Sequence, residues 1–171
     1  MGVRHNLDSN FNQLLDFINF QVPIIVQKTA ESDFRQNFTN KGFDGRQWPE
    51  TKKPIKKGSL MVRTGQLLGS IRGAVLSPSL VRISAGNPQV PYAQVHNEGG
   101  TISRAARSET FTRNRAKAGK RKGQFRKGTS DGQGFSFKAY SYNMPQRQFM
   151  GRSESLSRKI KDDITAAFKN L

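Results

Sequence analysis

Hydrophobic residues near the start of the chain recur at the spacing of one helix face. They follow the i, i+3, i+4, i+7 pattern and are Phe11, Leu14, Leu15 and Ile18. Asp8 or Ser9 precedes them, where a short polar side chain can cap the first turn of a helix. The pattern therefore predicts an amphipathic helix that begins near residue 9.

Pro23 divides this helical region. Proline disrupts the interior of a helix but fits its first turn, so one helix is predicted to end and a second to begin there. The buried side of the second helix is predicted to hold Ile25, Val26, Thr29, Phe34 and Phe38. Gly42 suits the left-handed conformation that often ends a helix. Residues 9–40 are thus predicted to form two helices.

Two short helices are predicted in the middle of the chain, after a loop over residues 43–57. The first covers residues 64–71, and Thr64 is placed to cap it. The second covers residues 91–98, because it opens on a proline and is followed by a Gly-Gly pair.

Three stretches have the alternation of strands. Residues 72–76 and 80–85 are predicted to form a pair, because Val81 and Ile83 alternate with polar residues as in a half-buried antiparallel strand. The alternation returns at residues 135–140, where a further strand is predicted.

The last periodic stretch predicts a C-terminal helix over residues 153–171. Its apolar stripe holds Leu156, Ile160, Ile164, Ala167, Phe168 and Leu171. The elements together predict one α+β domain over residues 1–171, with an antiparallel sheet of about four strands, two N-terminal helices and a C-terminal helix. A long basic hairpin insertion at residues 101–142 interrupts this domain.

Composition limits the size of the core and the available chemistry. The apolar fraction is 34% and the mean hydropathy is −0.69, so the core is small or is completed by neighbouring subunits. There is no cysteine and there are only two histidines, which argues against thiolate chemistry and histidine-rich metal sites. We predict no cofactor, no metal and no contact with a membrane, since no apolar run approaches the roughly 20 residues of a membrane span.

The net charge of +17 is concentrated in the insertion. Residues 101–142 hold eleven basic residues against Glu109 and Asp131, a net charge of +9. Such a segment favours contact with nucleic acid or with an acidic protein partner. The candidate contact residues are Arg104, Arg107, Arg113, Arg115, Lys117, Lys120, Arg121, Lys122, Arg126 and Lys127. The tip of this hairpin, residues 107–133, is predicted to be mobile in the free subunit.

Tyr92, His96 and Glu98 are the one cluster with catalytic residue types. Tyr92 and His96 share a helix face, but Glu98 is only two residues from His96 and points elsewhere. The motifs GxSxG, HExxH and GxxxxGK[ST] are absent from the sequence. We therefore predict that the protein is not an enzyme and that His96 packs a helix, with one ring nitrogen bonded locally.

Four motifs stand in a fixed order along the chain. They are Gly-Arg-Gln-Trp at residues 45–48, Thr-Gly-Gln-Leu-Leu-Gly-Ser-Ile at 64–71, Tyr-Ala-Gln-Val-His-Asn-Glu-Gly-Gly at 92–100, and Pro-Gln-Arg-Gln-Phe-Met-Gly at 145–151. In this order, and before a final helix, they resemble the phage virion morphogenesis (Mu-like tail completion) family. The chain departs from the family pattern at Asn97, Gln148 and Met150.

The resemblance implies a structural virion protein and a set of structural residues. By the family motifs these are Trp48, Thr64, Gly65, Leu67, Ser70, Ile71, Tyr92, His96, Gly99, Gly100, Pro145, Arg147, Phe149 and Gly151. Such a protein is expected to form a homo-oligomeric ring, six-fold rather than twelve-fold, at the neck or proximal tail end. It is expected to contact head–tail connector and tail proteins, and to pass through the host cytoplasm during assembly.

Two alternatives stay open from the residues. The basic insertion fits either a lumen through which packaged DNA passes or an acidic neighbouring subunit. The rival to a virion role is a free-standing basic nucleic-acid-binding protein, which the charge alone would favour.

Overall fold

The computed structural model describes all residues except 1, 52–53, 113–114, 116, 121 and 125–129. Side chains of residues 2–8, 108–112 and 130–135 are likewise not described. The chain divides into two compact units. We call residues 1–100 with 145–171 the body, and residues 101–144 the arm.

The N-terminal region of the body is one continuous helical path rather than two separated helices. Helix α1 spans Gly2–Asp16, a π-helical turn spans Phe17–Gln21, and α2 spans Val22–Asn40. The N–H of Val22 donates to the carbonyl of Phe17, five residues back. This wider turn directly precedes Pro23, which has no N–H to donate and crowds the preceding turn. Pro23 does stand in the first turn of α2, as predicted.

The start of α1 differs from the prediction. The helix already includes residues 2–8, so Asp8 and Ser9 lie inside it and neither caps it. The predicted face of α1 does not enter the core, because Phe11, Leu15 and Ile18 are exposed. On α2 the prediction holds better, since Phe34 and Phe38 are buried and Ile25, Val26 and Thr29 are half-buried.

The end of α2 is set by Lys41 and not by Gly42. Lys41 is left-handed, with φ of 52°, and its N–H donates to the carbonyl of Asn37. Gly42 instead opens strand β1, Gly42–Phe43, which pairs with β2, Arg46–Gln47. A Cβ at Gly42 would lie 2.6 Å from the carbonyl oxygen of Arg46, so the close approach of the two strands requires glycine.

The predicted loop therefore begins with a tight hairpin. Asp44 and Gly45 form its turn and both have positive φ, 48° and 81°. An Asp-Gly pair at two positive φ angles is the preferred type I′ connection of a two-residue hairpin.

The middle of the body is close to the prediction, with two corrections. Helix α3 spans Gln66–Gly69 and its N-cap is Gly65, with φ of 76° and no side-chain cap, so Thr64 does not cap it. Helix α4 spans Ala93–Glu98, because Tyr92 occupies the N-cap position and Pro91 lies in the preceding turn.

The predicted strand pair is present beside α2. Strand β3 spans Arg72–Ser77 and strand β4 spans Leu80–Ser84, in antiparallel register. Val81 and Ile83 are half-buried while the residues between them are exposed, as the alternation predicts.

Helix α5 closes the body and packs along α2. It spans Glu154–Phe168, and the hydroxyl of Ser153 caps it by accepting the N–H of Leu156 at 3.1 Å. Lys159 forms an ion pair with the nearly buried Asp33 of α2. The core cluster consists of Ala30, Phe34, Phe38, Phe43, Trp48, Leu60, Leu67, Ile71, Val90, Ala93, Phe149 and Leu156.

The arm consists of two antiparallel strand pairs. Strand β5, Gly100–Arg104, pairs with β8, Tyr140–Met144, and β6, Arg107–Thr112, pairs with β7, Ser130–Phe137. Pairing thus extends into the region predicted to be a mobile tip. Mobility of the tip stays a prediction, and its residues 113–114, 116, 121 and 125–129 lie outside the described residues.

The α+β class is confirmed, since helices are combined with small antiparallel sheets. Among the described residues the strands pair two by two, and they do not merge into one sheet of about four strands. The prediction assumed that successive pairs would join edge to edge, which alternation along a single strand cannot determine.

Candidate interaction site

Arg147 connects three segments of the body. It is 5% exposed, and its Nε donates to the carbonyl of Pro49 at 2.9 Å while Nη2 donates to the carbonyl of Glu50 at 3.2 Å. Its backbone N–H donates to the carbonyl of His96 at 2.8 Å. Burial lowers the pKa of Arg147 below its ordinary value. Arginine nevertheless keeps its charge in proteins, so these are charge-assisted hydrogen bonds.

Trp48 anchors the loop after β2 on the same segment. Its Nε1 donates to the carbonyl of Gln148 at 2.6 Å. Its ring stands edge-on to Phe38, with centroids 5.4 Å apart, and Phe38 in turn contacts Phe149 at 5.2 Å. These contacts anchor the loop after β2 on the core.

Asn97, one of the departures from the family pattern, binds the backbone of the last motif. Its Oδ1 accepts the N–H groups of Phe149 at 3.0 Å and Met150 at 3.1 Å. From the other side, Nδ2 of the buried Asn37 donates to the carbonyl of Phe149 at 3.1 Å. Both backbone polar groups of Phe149 are therefore satisfied by amide side chains while its ring is 1% exposed.

His96 lies beside this network without taking part through its ring. Its Nδ1 is buried and has no hydrogen-bond partner among the described residues, so the predicted local bond is not found at that nitrogen. Tyr92 stands edge-on to it, with ring centroids 5.6 Å apart. Burial, and secondarily the positive charge of Arg147, lowers the pKa of His96. The ring is therefore neutral at pH 7.

The three candidate catalytic residue types do not form a catalytic arrangement. Glu98 accepts a hydrogen bond from Gln94 Nε2 at 3.1 Å on the exposed side of α4. Across the described residues, no group of His, Asp and Glu side chains is arranged to hold a metal ion. Tyr92 and His96 pack against each other, whereas Glu98 bonds to Gln94.

The second motif is built into the core through Ser70. Its hydroxyl donates to the carbonyl of Leu67 at 2.7 Å and accepts the N–H of Gly86 at 2.9 Å. Ile71 next to it is 0% exposed, and Leu67 is also buried. Of this motif, Leu67, Ser70 and Ile71 are thus central, whereas Thr64 is exposed and Gly65 only supplies the turn.

The motif glycines Gly99 and Gly151 have positive φ, which favours glycine, and at Gly99 the neighbouring backbone also leaves little space for a side chain. A Cβ at Gly99, with φ of 75°, would lie 3.0 Å from the backbone nitrogen of Gln146. A Cβ at Gly151, with φ of 149°, would lie 2.6 Å from Gln148 Nε2. Gly100 has space around it but a φ of 139°, and Pro145 is exposed.

Asp44 joins the β1–β2 hairpin to the start of α5. Its Oδ1 accepts the hydroxyls of Ser153 at 2.9 Å and Ser155 at 2.8 Å. These bonds, that of Ser155 first and that of Ser153 second, lower the pKa of Asp44.

The described basic residues of the arm are exposed. They are Arg104, Arg107, Arg115, Lys117, Lys120, Lys122 and Lys138. Arg107 stacks its guanidinium over Phe137, 4.8 Å from the ring centroid, and Arg115 donates to the carbonyl of Gly123 at 3.3 Å. Arg113, Arg121, Arg126 and Lys127 lie outside the described residues.

Aromatic side chains accompany these cations on the arm. Tyr140 and Tyr142 stack with an interplanar angle of 17° and are both exposed. Thr101 of β5 donates to Asn143 of β8 at 2.7 Å, so these two share a sheet face. Because faces alternate along a strand, Arg104 belongs to the opposite face, with the two tyrosines.

The structure thus brings part of each motif together in the core of the body. Trp48, His96, Arg147 and Phe149 are linked directly, while Thr64 and Pro145 stay at the surface. The structure also adds Asn37, Asp44 and Asn97, which the sequence analysis did not select. The sequence did contain a signal for Asp44, because Asp-Gly is a preferred pair in the turn of a two-residue hairpin.

The comparisons with known proteins identify the family. The model of the phage virion morphogenesis family matches residues 26–169. No curated protein and no solved structure matches the chain. Along the described part of the chain, no helix is long and apolar enough to cross a membrane. Because the family match spans most of its length, the chain belongs to the phage virion morphogenesis family, with a structural role in building the virion.

Proposed function

We propose that this chain is a tail-completion protein of a tailed phage. It assembles into a ring at the neck or proximal tail end, finishes the tail, and allows the tail to join a filled head. A six-fold ring is favoured, between the head–tail connector and the tail proteins. The protein acts in the host cytoplasm during assembly and stays in the virion at the neck.

The observation that supports an architectural role most strongly is the use of the motif residues. Arg147 and Trp48 direct their donors to backbone carbonyls of the body, and Asn97 binds backbone N–H groups. These polar groups fix the shape of the body, so little of their hydrogen-bonding capacity remains for a substrate. Such a pattern suits a subunit whose task is to present surfaces to neighbours.

The arm supplies the second surface that assembly needs. It is a separate compact unit of paired strands with exposed cations and aromatic rings. It can bind an acidic neighbouring subunit or the backbone of packaged DNA. The body would then place the subunit in the ring, and the arm would contact what lies beside or inside it.

Electron microscopy of particles made without this gene tests the proposal. The expected result is a mixture of filled heads and unattached tails, restored to whole particles when the wild-type gene is supplied. Particles of normal structure and infectivity would refute the proposed role.

A variant with a shortened arm tests the roles of the arm and of the body separately. Deleting residues 110–130 should leave a soluble subunit with unchanged helical circular dichroism, because the motif network lies wholly in the body. The same variant should fail to restore particles. Loss of the helical signal would show that the body depends on the arm.

Direct nucleic-acid binding is the second candidate function. The exposed pair of Tyr140 and Tyr142, on the same sheet face as Arg104, favours it, because exposed rings beside cations suit stacking on bases. The isolated subunit would then bind short DNA with an affinity that falls steeply as salt rises. No binding at about 50 mM salt would exclude this candidate.

A further inference from the structure

Exposed large hydrophobic side chains of the body are gathered in three places. Apart from Tyr92, the described ones come from the N-terminal helical region, from the tip of the β3–β4 hairpin and from the end of α5. They are Phe11, Leu15, Ile18, Phe20, Ile24, Val75, Leu76, Leu80, Phe168 and Leu171. Phe11 is 60% exposed and Phe20 is 64% exposed.

The β3–β4 tip lies toward the start of α2. Arg35 of α2 donates to the carbonyl of Ile71, whereas Gln27, two turns earlier, donates to the carbonyl of Gly73. Strand β3 therefore runs opposite to α2. Three residues beyond Gly73 the strand has advanced about 10 Å. Gln27 is only five residues, about 7.5 Å, from the start of α2, so the tip reaches the first turn of the helix.

Helix α5 ends at the same place. Its Lys159 contacts Asp33 of α2, and its Asp163, one turn later, accepts a hydrogen bond from Thr29. The ring of Phe168 then reaches Phe17, with centroids 5.9 Å apart. The exposure of apolar side chains rises along α5, from 7% at Leu156 to 51% at Phe168. The three groups therefore share one end of the body, which we call the apolar end.

The area of the apolar end fits a protein interface. Its ten side chains are each exposed by about two fifths to two thirds. If a large side chain has about 150–250 Å² to bury, their exposed parts sum to on the order of 800 Å². One side of a stable protein–protein interface buries about 800 Å².

Charge indicates what covers the apolar end. Residues 9–24 carry one charged side chain, Asp16, residues 75–80 carry none, and residues 164–171 carry Lys169 alone, whereas the whole chain has a net charge of +17. Two copies of so basic a chain repel each other, and this repulsion is smallest where they meet through a face with little positive charge. A partner recognised by acidic groups would instead match the basic residues of the arm.

We propose that the apolar end is the face through which one copy of this chain packs against a second copy. The inference rests on the proposed ring for its biological setting, but self-association itself can be measured on the isolated subunit. The contact is hydrophobic, so its strength should depend weakly on salt, unlike any contact made by the arm.

Sedimentation of the full chain over a range of concentrations tests this proposal. The test variant is Phe11→Glu with Leu15→Glu, two exposed residues on one side of α1. Ser9→Glu with Gln13→Glu is the matched control, because it adds the same charge to exposed positions on the opposite side of α1. The wild type and the control should associate, whereas the test variant should be weakened by at least about 30-fold, the effect of losing one central apolar contact.

Three results would overturn the proposal. They are a wild type that stays monomeric up to about 100 µM, a test variant that associates like the wild type, and a control as weak as the test variant. Circular dichroism of both variants establishes that they are folded. If loss of the gene left particles normal while the isolated subunit still associated through this face, only the proposed ring at the neck would fail.

Cross-linking gives a second readout, because the chain has no cysteine. Neighbours in a cyclic ring do not meet at the same residue of both copies, so a single Phe11→Cys variant is labelled with a photoreactive thiol reagent and should yield cross-linked dimers. The control variant Ser9→Cys should yield few. Equal yields from the two positions would contradict the proposed face.

Discussion

The helical region 17–40 has similar hydrophobic residues at its two ends, but they are buried at one end and exposed at the other. At the C-terminal end, Phe34 and Phe38 are buried under the ring of Trp48 and the segment around Phe149. At the N-terminal end, Phe20 and Ile24 are exposed. We call the covered end, formed around Phe38, Trp48, Arg147 and Phe149, the motif end.

The difference lies in what covers the helix and not in the helix itself. At the motif end, two distant chain segments are held over α2 by hydrogen bonds to their backbone. At the apolar end no described segment plays that part. The family match begins at residue 26, so most of the helical surface of the apolar end precedes it. The motif end therefore folds within the subunit, whereas the apolar end is available to a neighbour.

Truncating one phenylalanine at each end of the helix has the largest expected contrast. Phe38→Ala should lower the free energy of unfolding by about 3–5 kcal/mol, because it leaves a cavity beneath Trp48. Phe20→Ala should change it by less than about 0.5 kcal/mol in the monomer. Urea denaturation at low protein concentration measures both, and equal losses would remove the distinction between the ends.

Arg147→Lys should have the next largest effect. A lysine has one amine where the guanidinium reaches two carbonyls, so the carbonyl of Pro49 or of Glu50 loses its partner on Arg147. We expect a loss of about 1–3 kcal/mol in urea denaturation. The control Arg152→Lys alters an exposed arginine and should be close to neutral. If Arg147→Lys left the free energy of unfolding unchanged, a positive charge at this position would be sufficient and the two hydrogen bonds would not be needed.

Asn97→Ala should lower the free energy of unfolding by less, about 1–2 kcal/mol, because two N–H groups lose one shared acceptor. Gln94→Ala on the exposed side of α4 is the control. Hydrogen exchange should show faster exchange of the Phe149 and Met150 amides in Asn97→Ala. Unchanged protection would indicate that these amides are held by other contacts.

The smallest effect concerns pH. The pKa of His96 is lowered in the folded body, so the unfolded chain takes up a proton first as pH falls. Stability should therefore be level above the ordinary histidine pKa of about 6.5 and should decline below it. His96→Gln should flatten this decline between about pH 6.5 and pH 5, a range in which Asp44 stays ionised. Parallel stability curves for the two proteins would exclude His96 as the cause.

Sequence periodicity predicted the elements whose signal is local. The strands around Val81, the C-terminal helix and the position of Pro23 follow from side-chain alternation, the apolar stripe after Ser153 and the missing N–H of proline. The end of α2 was misplaced by one residue, because Gly42 is needed for close strand approach and not for a left-handed turn.

The candidate site was predicted only in part, for a physical reason. Family motifs selected Arg147 and Trp48, but nothing local to Arg147 shows that its guanidinium binds the carbonyls of residues 49 and 50. Likewise, the apolar spacing of Phe11 and Ile18 predicts a face that seeks a partner. It does not show whether that partner belongs to the same chain.

The hydrogen bonds of the motif end also set an order of folding. Trp48 is bonded to a residue 100 positions later, Asn37 to one 112 positions later, and Asp44 to one 109 positions later. Contacts this distant in sequence form slowly, whereas helices and hairpins close locally. A nascent chain therefore carries the bare rings of Phe34 and Phe38 until the segment around residue 149 has been synthesised. During that interval those rings offer a binding site for chaperones.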